Sequence, residues 1–595
     1  MSGIYVSIGS SSFKSDLSSI AHRGRLETFR QEFESATGVV RLQEFSHHNR
    51  VSSGIDERLL RRYAIVFDGC LYNRTELLQL SDTQLSQEVS SAEILLSVFN
   101  HIGTRCFDYL DGAFTFVIWD NELKKLYAVR DRFGLRPLYI FATPENLVIA
   151  SEIKQFFELP SIQARLNTAR AVDFLILGLT DHSVETMFEN VYRLPQGSML
   201  ELDLSNWKLG HKLPTFKTWY QLPAPDSLEL GETESVDLFR HLLTDVVQNR
   251  WQSQSPCGLC LSGGLDSASI AAILATNRFK LGEPSEIPTF KVYFGDEEFD
   301  QSALFQSIAT LDGITNYQTT CNFDDVLRLM EPLVWHLDEP YSRPSLAAQW
   351  ILFKHANMEG IKATLDGQGA DEQLCGYTSM INEYYSYQES KQIPIRMQSF
   401  TTRSTLSLKQ DEGGLSWLSS EQQEACFKHS EQNLHFRKRS LGEICIDRVL
   451  YGDLPMMMRH NDRIGASHGI ETHVPYLAHR LVELSIALGS KHKLVGQQSK
   501  YLLRCAMGGL VPKLILNHYG KGSYSKLEEG WIRTSSDQNW LKEVVATAYQ
   551  WPQLFSEKGV LMLANQHTQA NKQTLLLLWR ILCFGVWARV FNLSI

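Results

Sequence analysis

Two short stretches carry residue types and spacings that could do chemistry. The first, "LCLSGGLDSASIAAI", Leu259 to Ile273, reads as a buried strand, a glycine turn and the start of a helix. Gly263 and Gly264 permit positive φ and leave backbone N–H groups uncovered. Together with a helix N-terminus, such groups form a cradle for phosphate. The hydroxyls of Ser262 and Ser267 can add hydrogen bonds, while Asp266 would repel a phosphate unless a cation stood between them, which points to Mg²⁺. This is not a Walker A loop, because no lysine follows the glycines. "GKGS" at Gly520 has Ile515 where that motif needs its first glycine. Taken alone, the turn also reads as a plain strand-to-helix connection, though the phosphate cradle is the better fit. The second stretch, "LDGQGADE", Leu365 to Glu372, also follows an expected strand, "KATL". Loops at the carboxyl ends of parallel strands meet on one sheet edge, so Asp371 is expected to face Asp266 across a shared Mg²⁺.

The elements that must position these turns follow from the patterning. The first 200 or so residues are dense in strand signals, "YAIVF", "AFTFVIW", "KLYAV", "PLYIF" and "NLVIAS", interrupted by a helix at "AEILLSVFNHI". That is an α+β pattern, assigned to residues 1–205. A linker is expected over 206–234, ending in the polar, proline-containing run Leu222 to Glu234. A helix then places Val236, Phe239, Leu243 and Val246 on one face. From there strands alternate with helices, as in a parallel sheet flanked by helices, and the pattern becomes mostly helical after about residue 380. This second, α/β domain is assigned to 235–595. A polar stretch near 389–433 reads as an insertion, either a cover for the site or ordinary surface.

Composition narrows the partners. A hydrophobic fraction of 43% and a charged fraction of 21% in 595 residues suit a globular chain of two domains or more. A net charge of −10 argues against general binding to nucleic acid or anionic membranes. Ten scattered cysteines form no disulfide framework, which favours a reducing cytoplasm. Cys257 and Cys260 make a single CxxC with no partner pair at zinc spacing, so they read as small apolar residues of a strand. No signal peptide is visible. "TLLLLWRILCFGVWARVFNL" contains Arg580 and Arg589 and reads as a core helix, with no transmembrane segment expected.

SGGxDS after a strand resembles the pyrophosphate loop of the N-type ATP pyrophosphatases. With "DEPYSRPS", "GADE", "ETHVPYL" and "SKYLLR" the resemblance is to the asparagine synthetase family. "DGCLYN", "DGAFTFVIWD" and "RDRFGLRPLYI" resemble the same family's N-terminal glutaminase domain. The resemblance implies an Ntn-type domain followed by a synthetase domain. In that chemistry a carboxylate attacks the α-phosphorus of ATP, and an amine then displaces AMP from the acyl-adenylate. It implies that Asp266 and Asp371 hold Mg²⁺ and that Ser262, Gly263, Gly264 and Ser267 take the pyrophosphate. Cys260, Val292 and Gly367 would frame the adenosine, and Lys500 and Lys521 would face phosphate or the developing oxyanion.

The start of the chain departs from that family. Glutamine-dependent members use a cysteine at the second residue; here it is Ser2. Their oxyanion-hole Asn-Gly is Asp68-Gly69, and an ionised aspartate cannot donate a hydrogen bond. Their "RGPD" is Arg23-Gly24-Arg25-Leu26, and the acidic residue that clamps the glutamine amine is Ser91. A glutaminase-like domain kept for structure is expected, with the attacking amine belonging to the substrate. Gln368, before "GADE", cannot act as a base, whereas a peptide α-amine is partly neutral near its pKa of about 8. These features favour a lasso-peptide macrolactam synthetase acting on a precursor peptide, with a leader-binding protein and a leader peptidase as partners. The alternatives are an ammonia-using asparagine synthetase, a β-lactam synthetase and an inactive scaffold.

Overall fold

The computed structural model describes residues 2–9, 18–24, 26–35, 38–46, 57–81, 89–143, 146–205, 215–252, 256–277, 286–295, 300, 302–389, 394–395, 415–431, 435–436, 439–519, 524–534 and 539–594.

The strand-rich start folds into two facing sheets. One has the order β2(Leu26–Ser35), β3(Gly38–Ser46), β1(Ser2–Gly9), β8(Leu147–Ala150), β7(Tyr139–Ala142), β9(Val191–Arg193). The other has the order β11(Lys217–Thr218), β10(Ser198–Asp203), β6(Lys125–Arg130), β5(Gly112–Asp120), β4(Tyr63–Leu71). Side chains alternate across each strand. Ile4, Val6 and Ile8 of β1 therefore meet Val66, Val117 and Ile149 between the sheets. Tyr5 points outward, into a core shared with the helix Thr168–Leu177 and the C-terminal helix Lys572–Val590. Tyr63, Ile65 and Phe67 bury their other face under the helix Ser91–Ile102, whose Ser90 and Glu93 form a capping box. The hairpin β2–β3 was not expected: its charged alternation resembles surface loop, and it forms because β1 offers it a full-length partner.

The second domain is built on a five-stranded sheet, β14(Ile314–Thr320), β13(Ile287–Tyr293), β12(Cys257–Cys260), β15(Ala363–Leu365) and the strand Glu471–His473, all parallel. From β12 the sheet grows in both directions, so the crevice opens at the carboxyl ends of β12 and β15. Ahead of it, the helix Glu232–Gln252 buries Ser235, Phe239, Leu243, Val247 and Arg250. Val236 and Val246, expected on that face, sit half-buried at its margin because the stripe drifts along a 21-residue helix. The helix Lys572–Val590 is long and apolar enough to cross a membrane, yet most of it is buried in the largest core. Its Arg580 donates to the carbonyls of Leu175 (3.1 Å) and Ile176 (2.8 Å), capping the end of the N-terminal domain's helix Thr168–Leu177.

Of the expected insertion at 389–433, residues 390–393, 396–414 and 432–434 lie outside the described residues. What is described is anchored: Leu415, Trp417 and Leu418 are buried, and Trp417 O accepts from Ser556 N at 2.8 Å. The helix Ser420–Glu431 follows.

The two domains meet through buried charge. Arg23, fully buried, reaches Asp68 (3.3 Å), Glu152 (2.5 Å) and Asp462. Asp462 also takes Arg136 Nη1 at 2.7 Å, and Glu152 takes Arg463 Nη1 at 2.7 Å. Arg459 grips Asp181, and Arg193 pairs with Glu339 at 2.8 Å. Burial works against ionisation of Glu152 and Asp462. The surrounding cations outweigh it and hold both below their ordinary values of 4.5 and 3.8. Asp68 runs the other way, pushed up by burial despite Arg23 and Arg136.

Carboxyls with depressed pKa stabilise the fold above their unfolded pKa and lose that contribution as pH falls through the folded one. Buried histidines held neutral, His460 and His468 among them, add a loss that begins once pH falls below their unfolded value of 6.5, so the thermal midpoint is expected to decline from about pH 6.5 and more steeply below about 4.5. Arg23→Met, which strands several buried carboxylates, should destabilise by about 3–5 kcal/mol at neutral pH. Thermal and urea unfolding across pH read both effects, and an Arg23→Met midpoint equal to wild type would sink the account.

Candidate active site

The two glycine turns touch. A Cβ on Gly367 would lie 3.0 Å from Asp266 Cβ and 3.0 Å from Ser267 N, so only glycine lets the second turn lie on the first. Gly263 takes φ +84°, which brings the chain from β12 into the helix Leu265–Asn277. Ser262 Oγ accepts from Gly264 N at 3.2 Å and lies 3.1 Å from Ser267 Oγ. These hydroxyls hold the loop open as an N–H-lined cradle. Tyr476 of "ETHVPYL" fastens it from behind, donating to Asp266 O at 3.1 Å.

Asp266 and Asp371 come together as expected from the sheet edge, with Lys500 between them. Its Nζ lies 2.6 Å from Asp266 Oδ2 and 2.7 Å from Asp371 Oδ1. Burial works against the ammonium, but the two carboxylates outweigh it and hold Lys500 above its ordinary pKa. Lys500, which the resemblance places facing phosphate or the developing oxyanion, bridges the two acids. Its backbone is left-handed, φ 54°, an uncommon setting for lysine. The oxygen donors suit Mg²⁺, which is usually held by one or two carboxylates plus substrate phosphates. Nearby Asp366 is pushed to about 6 by burial, partly relieved by Gln368 N–H and reinforced by Asp266.

These groups line a cleft of about 890 Å³ that also contains Cys260, Ser262, Gly263, Gly264, Ser267, Val292 and Gly367. Cys257 is buried at the far end of β12, while Cys260 reaches the cleft. Lys521, like the "GKGS" around it, lies outside the described residues; its flanks are anchored at the cleft rim. Before it, Arg504 donates to Leu516 O (2.6 Å) and His518 O (3.1 Å). After it, buried Glu528 accepts from Ser345 Oγ at 2.5 Å and pairs with Arg343 at 3.1 Å.

Several cleft residues escaped sequence reasoning. Met456, Met457 and His460 come from the helix Leu454–Ser467, and Tyr377 donates to Glu372 Oε1 at 2.5 Å. Burial, then Arg459, push His460 down to about 3, so it is neutral at pH 7 and a weak base. The one available signal was the run "RHNDR", Arg459 to Arg463, five polar residues within a helix and all buried.

Charged side chains pack against Ser2, which is itself half-buried. Ser2 N donates to Asp68 Oδ1 at 3.1 Å, and Arg23 Nη1 reaches both Ser2 O (3.4 Å) and Asp68 Oδ2 (3.3 Å). Ser91 Oγ accepts from Arg74 at 3.0 Å. Arg25 lies outside the described residues.

An Ntn-type domain joined to an ATP-pyrophosphatase-type domain, with two glycine turns meeting on paired aspartates, defines an ATP-dependent ligase. The family described as asparagine synthase matches residues 238–589, and that described as a glutamine amidotransferase domain matches residues 1–212. The chain belongs to the asparagine synthase family, ATP-dependent carbon–nitrogen ligases that release AMP. It is 24% identical over 564 residues to glutamine-hydrolysing asparagine synthetase 1 of Bacillus subtilis (strain 168), covering 88% of this chain and 85% of that one. It is 29% identical over 304 residues to amidase chyE of Penicillium rubens, covering 48% and 43%. A solved glutamine phosphoribosylpyrophosphate amidotransferase from B. subtilis aligns at 13% identity over 54% of this chain and 81% of that one, TM-score 0.27.

Asp266→Asn and Asp371→Asn should each lower ATP–pyrophosphate exchange by a factor on the order of a hundred or more. Gly376→Ala should do the same, because its Cβ would fall 1.8 Å from Asp371 Oδ1 and 2.3 Å from Lys500 Cε. Folded variants exchanging at wild-type rates would remove these groups from the site.

Proposed function

We propose that the protein is a lasso-peptide macrolactam synthetase. A side-chain carboxylate of an Asp or Glu in a core peptide attacks the α-phosphorus of ATP and expels pyrophosphate. The peptide's own N-terminal amine then displaces AMP to close the ring. The N–H groups of Gly263 and Gly264, with the hydroxyls of Ser262 and Ser267, bind the pyrophosphate. Cys260, Val292 and Gly367 frame the adenosine. Lys500 keeps a proton and a positive charge beside the phosphates, and Lys521 is assigned to the leaving group. Asp266 and Asp371 hold Mg²⁺, which when bound supplies positive charge against the phosphate oxygens. A precursor peptide, a leader-binding protein and a leader peptidase are the partners, in a cytoplasmic setting.

The observation that carries this reading is the closed region around Ser2. Arg23 fills it, paired with the Asp68 that stands where an amide donor would be needed. Ammonia from glutamine is then not the nucleophile, and no carboxylate base stands at Gln368. A cleft of about 890 Å³ is near the top of the range of about 300–1,000 Å³ usual for small-molecule sites, which suits ATP plus a folded peptide segment. The second reading, an asparagine synthetase fed by free ammonia, is favoured by the 88% coverage of the match to the Bacillus enzyme.

With ATP, Mg²⁺ and a leader-processed core peptide, the expected product is lighter by one water, with equimolar AMP; an Ala in place of the acceptor Asp or Glu stops both. Mass spectrometry with AMP assay decides. Asparagine from aspartate and ammonium, with an unaltered peptide, would replace this reading by the second. Separately, wild type should release no glutamate from glutamine, and Ser2→Ala should leave amide formation within about twofold, since Ser2 is predicted to be idle. Glutamate release matching amide formation and lost in Ser2→Ala would refute the closed-site argument.

A further inference from the structure

Three side-chain amides run in series along one wall of the cleft. Gln349, on the helix Leu346–Met358, donates its Nε2–H to Asn461 Oδ1. Asn461, on the helix Leu454–Ser467, donates its Nδ2–H to Gln368 Oε1 at 3.2 Å. Gln368 is fixed from its own backbone, whose N–H donates to Asp366 Oδ1 at 3.0 Å. Asn461 is only 1% exposed and adjoins Asp462, which Arg23 and Arg136 pin across the domain interface. Gln349 and Gln368 are half-buried and both line the cleft. Each keeps one group that no described residue engages: Oε1 of Gln349, an acceptor, and the Nε2 amino group of Gln368, a donor. An amide has one acceptor oxygen and one donor nitrogen, so Asn461 transmits polarity: when one end of the series accepts, the other donates.

We propose that this amide series is the acceptor subsite of the ligase, built for a neutral amine and an acyl oxygen. The inference rests on the ligation reading above and deepens it. Gln349 Oε1 accepts an N–H of the attacking amine and turns its lone pair toward the acyl carbon. Gln368 Nε2 donates to the acyl oxygen, where negative charge grows as the C–N bond forms. The bond from the acyl carbon to the AMP oxygen then breaks, AMP leaves with the electron pair, and its phosphate takes the proton shed by the amine. A carboxylate at position 368 would repel that oxygen; the carboxamide stabilises it without taking a proton. Gln349 and Gln368 touch the reacting groups, whereas Asn461 is a positioning residue.

The test separates adenylation from amide formation. Two acyl donors are used with ATP and Mg²⁺: a leader-processed lasso core peptide with a free N-terminal amine and an acceptor Asp or Glu, and L-aspartate with ammonium. Pyrophosphate–ATP exchange, AMP and amide are measured in the same reactions. Gln349→Leu and Gln368→Leu remove the end groups, and Asn461→Asp sets an acceptor against Gln368 Oε1. Each should lower amide formed per AMP released about tenfold or more, the remainder appearing as hydrolysed acid, as expected for one lost hydrogen bond to the transition state. Should buried Asn461→Asp fail to fold, the two cleft-wall variants decide. If exchange and amide fall together, leaving the ratio unchanged, the subsite is refuted while the ligase reading stands. If wild type shows exchange with neither donor, the ligase reading falls and the subsite with it.

Discussion

Asp462 accepts guanidinium groups from Arg23 and Arg136 in an interface that excludes water, and much of the architecture depends on that arrangement. Buried ion pairs are weak sources of stability, because the desolvation of each charge offsets most of the attraction. What they supply is direction. The helix Leu454–Ser467 carries Arg459, Asp462 and Arg463 into the N-terminal domain, and from the same turns sends Met456, Met457 and His460 to the cleft. A helix tied at three charged points cannot rotate without stranding a charge. The cleft wall is therefore set by a domain that contributes none of the phosphate-binding groups.

The centre of the cleft solves a second electrostatic problem. Asp266 and Asp371 face each other at close range, and two carboxylates in a shielded crevice repel strongly unless a cation intervenes. Lys500 is that cation, reaching both within 2.7 Å. The left-handed backbone at Lys500 and the missing side chain at Gly376 are what this geometry demands. Strain held at such a site is compensated by the surrounding fold, here by Lys500 N donating to Leu374 O at 3.1 Å. Burial, reinforced by Asp266 close by, leaves Asp366 with a pKa of about 6.

The fold class was legible because its signals are local. Short apolar strands followed by Ser-Gly-Gly and Asp-Gly turns announce a parallel sheet with a phosphate edge, and the meeting of Asp266 with Asp371 follows from that topology alone. What escaped was non-local. The β2–β3 hairpin is hidden by its charges, and its reason for being a strand lies in β1. Lys500 could be picked out by resemblance, but nothing in its neighbours along the chain says that it bridges two acids more than 120 residues away. Arg23 reads as a residue of a degraded motif, and its partners Glu152 and Asp462 are remote in sequence. The buried run Arg459 to Arg463 was the one visible hint that polar residues had been drawn inside.

These observations bear jointly on where the attacking amine comes from. Ser2 O meets Arg23, Arg23 meets Asp462, and the neighbouring Asn461 meets Gln368 at the cleft wall. The Ser2 region and the cleft wall are thus linked by a run of paired side chains. On the proposed reading Arg23 and Asp462 stay paired, since separating a buried pair costs about 3–5 kcal/mol. An amine entering through the cleft mouth meets no such barrier and finds the free amide groups of Gln349 and Gln368 at the end of its path. On the proposed reading, the charge packed against Ser2 is the same charge that orients the wall where an amine from outside would arrive.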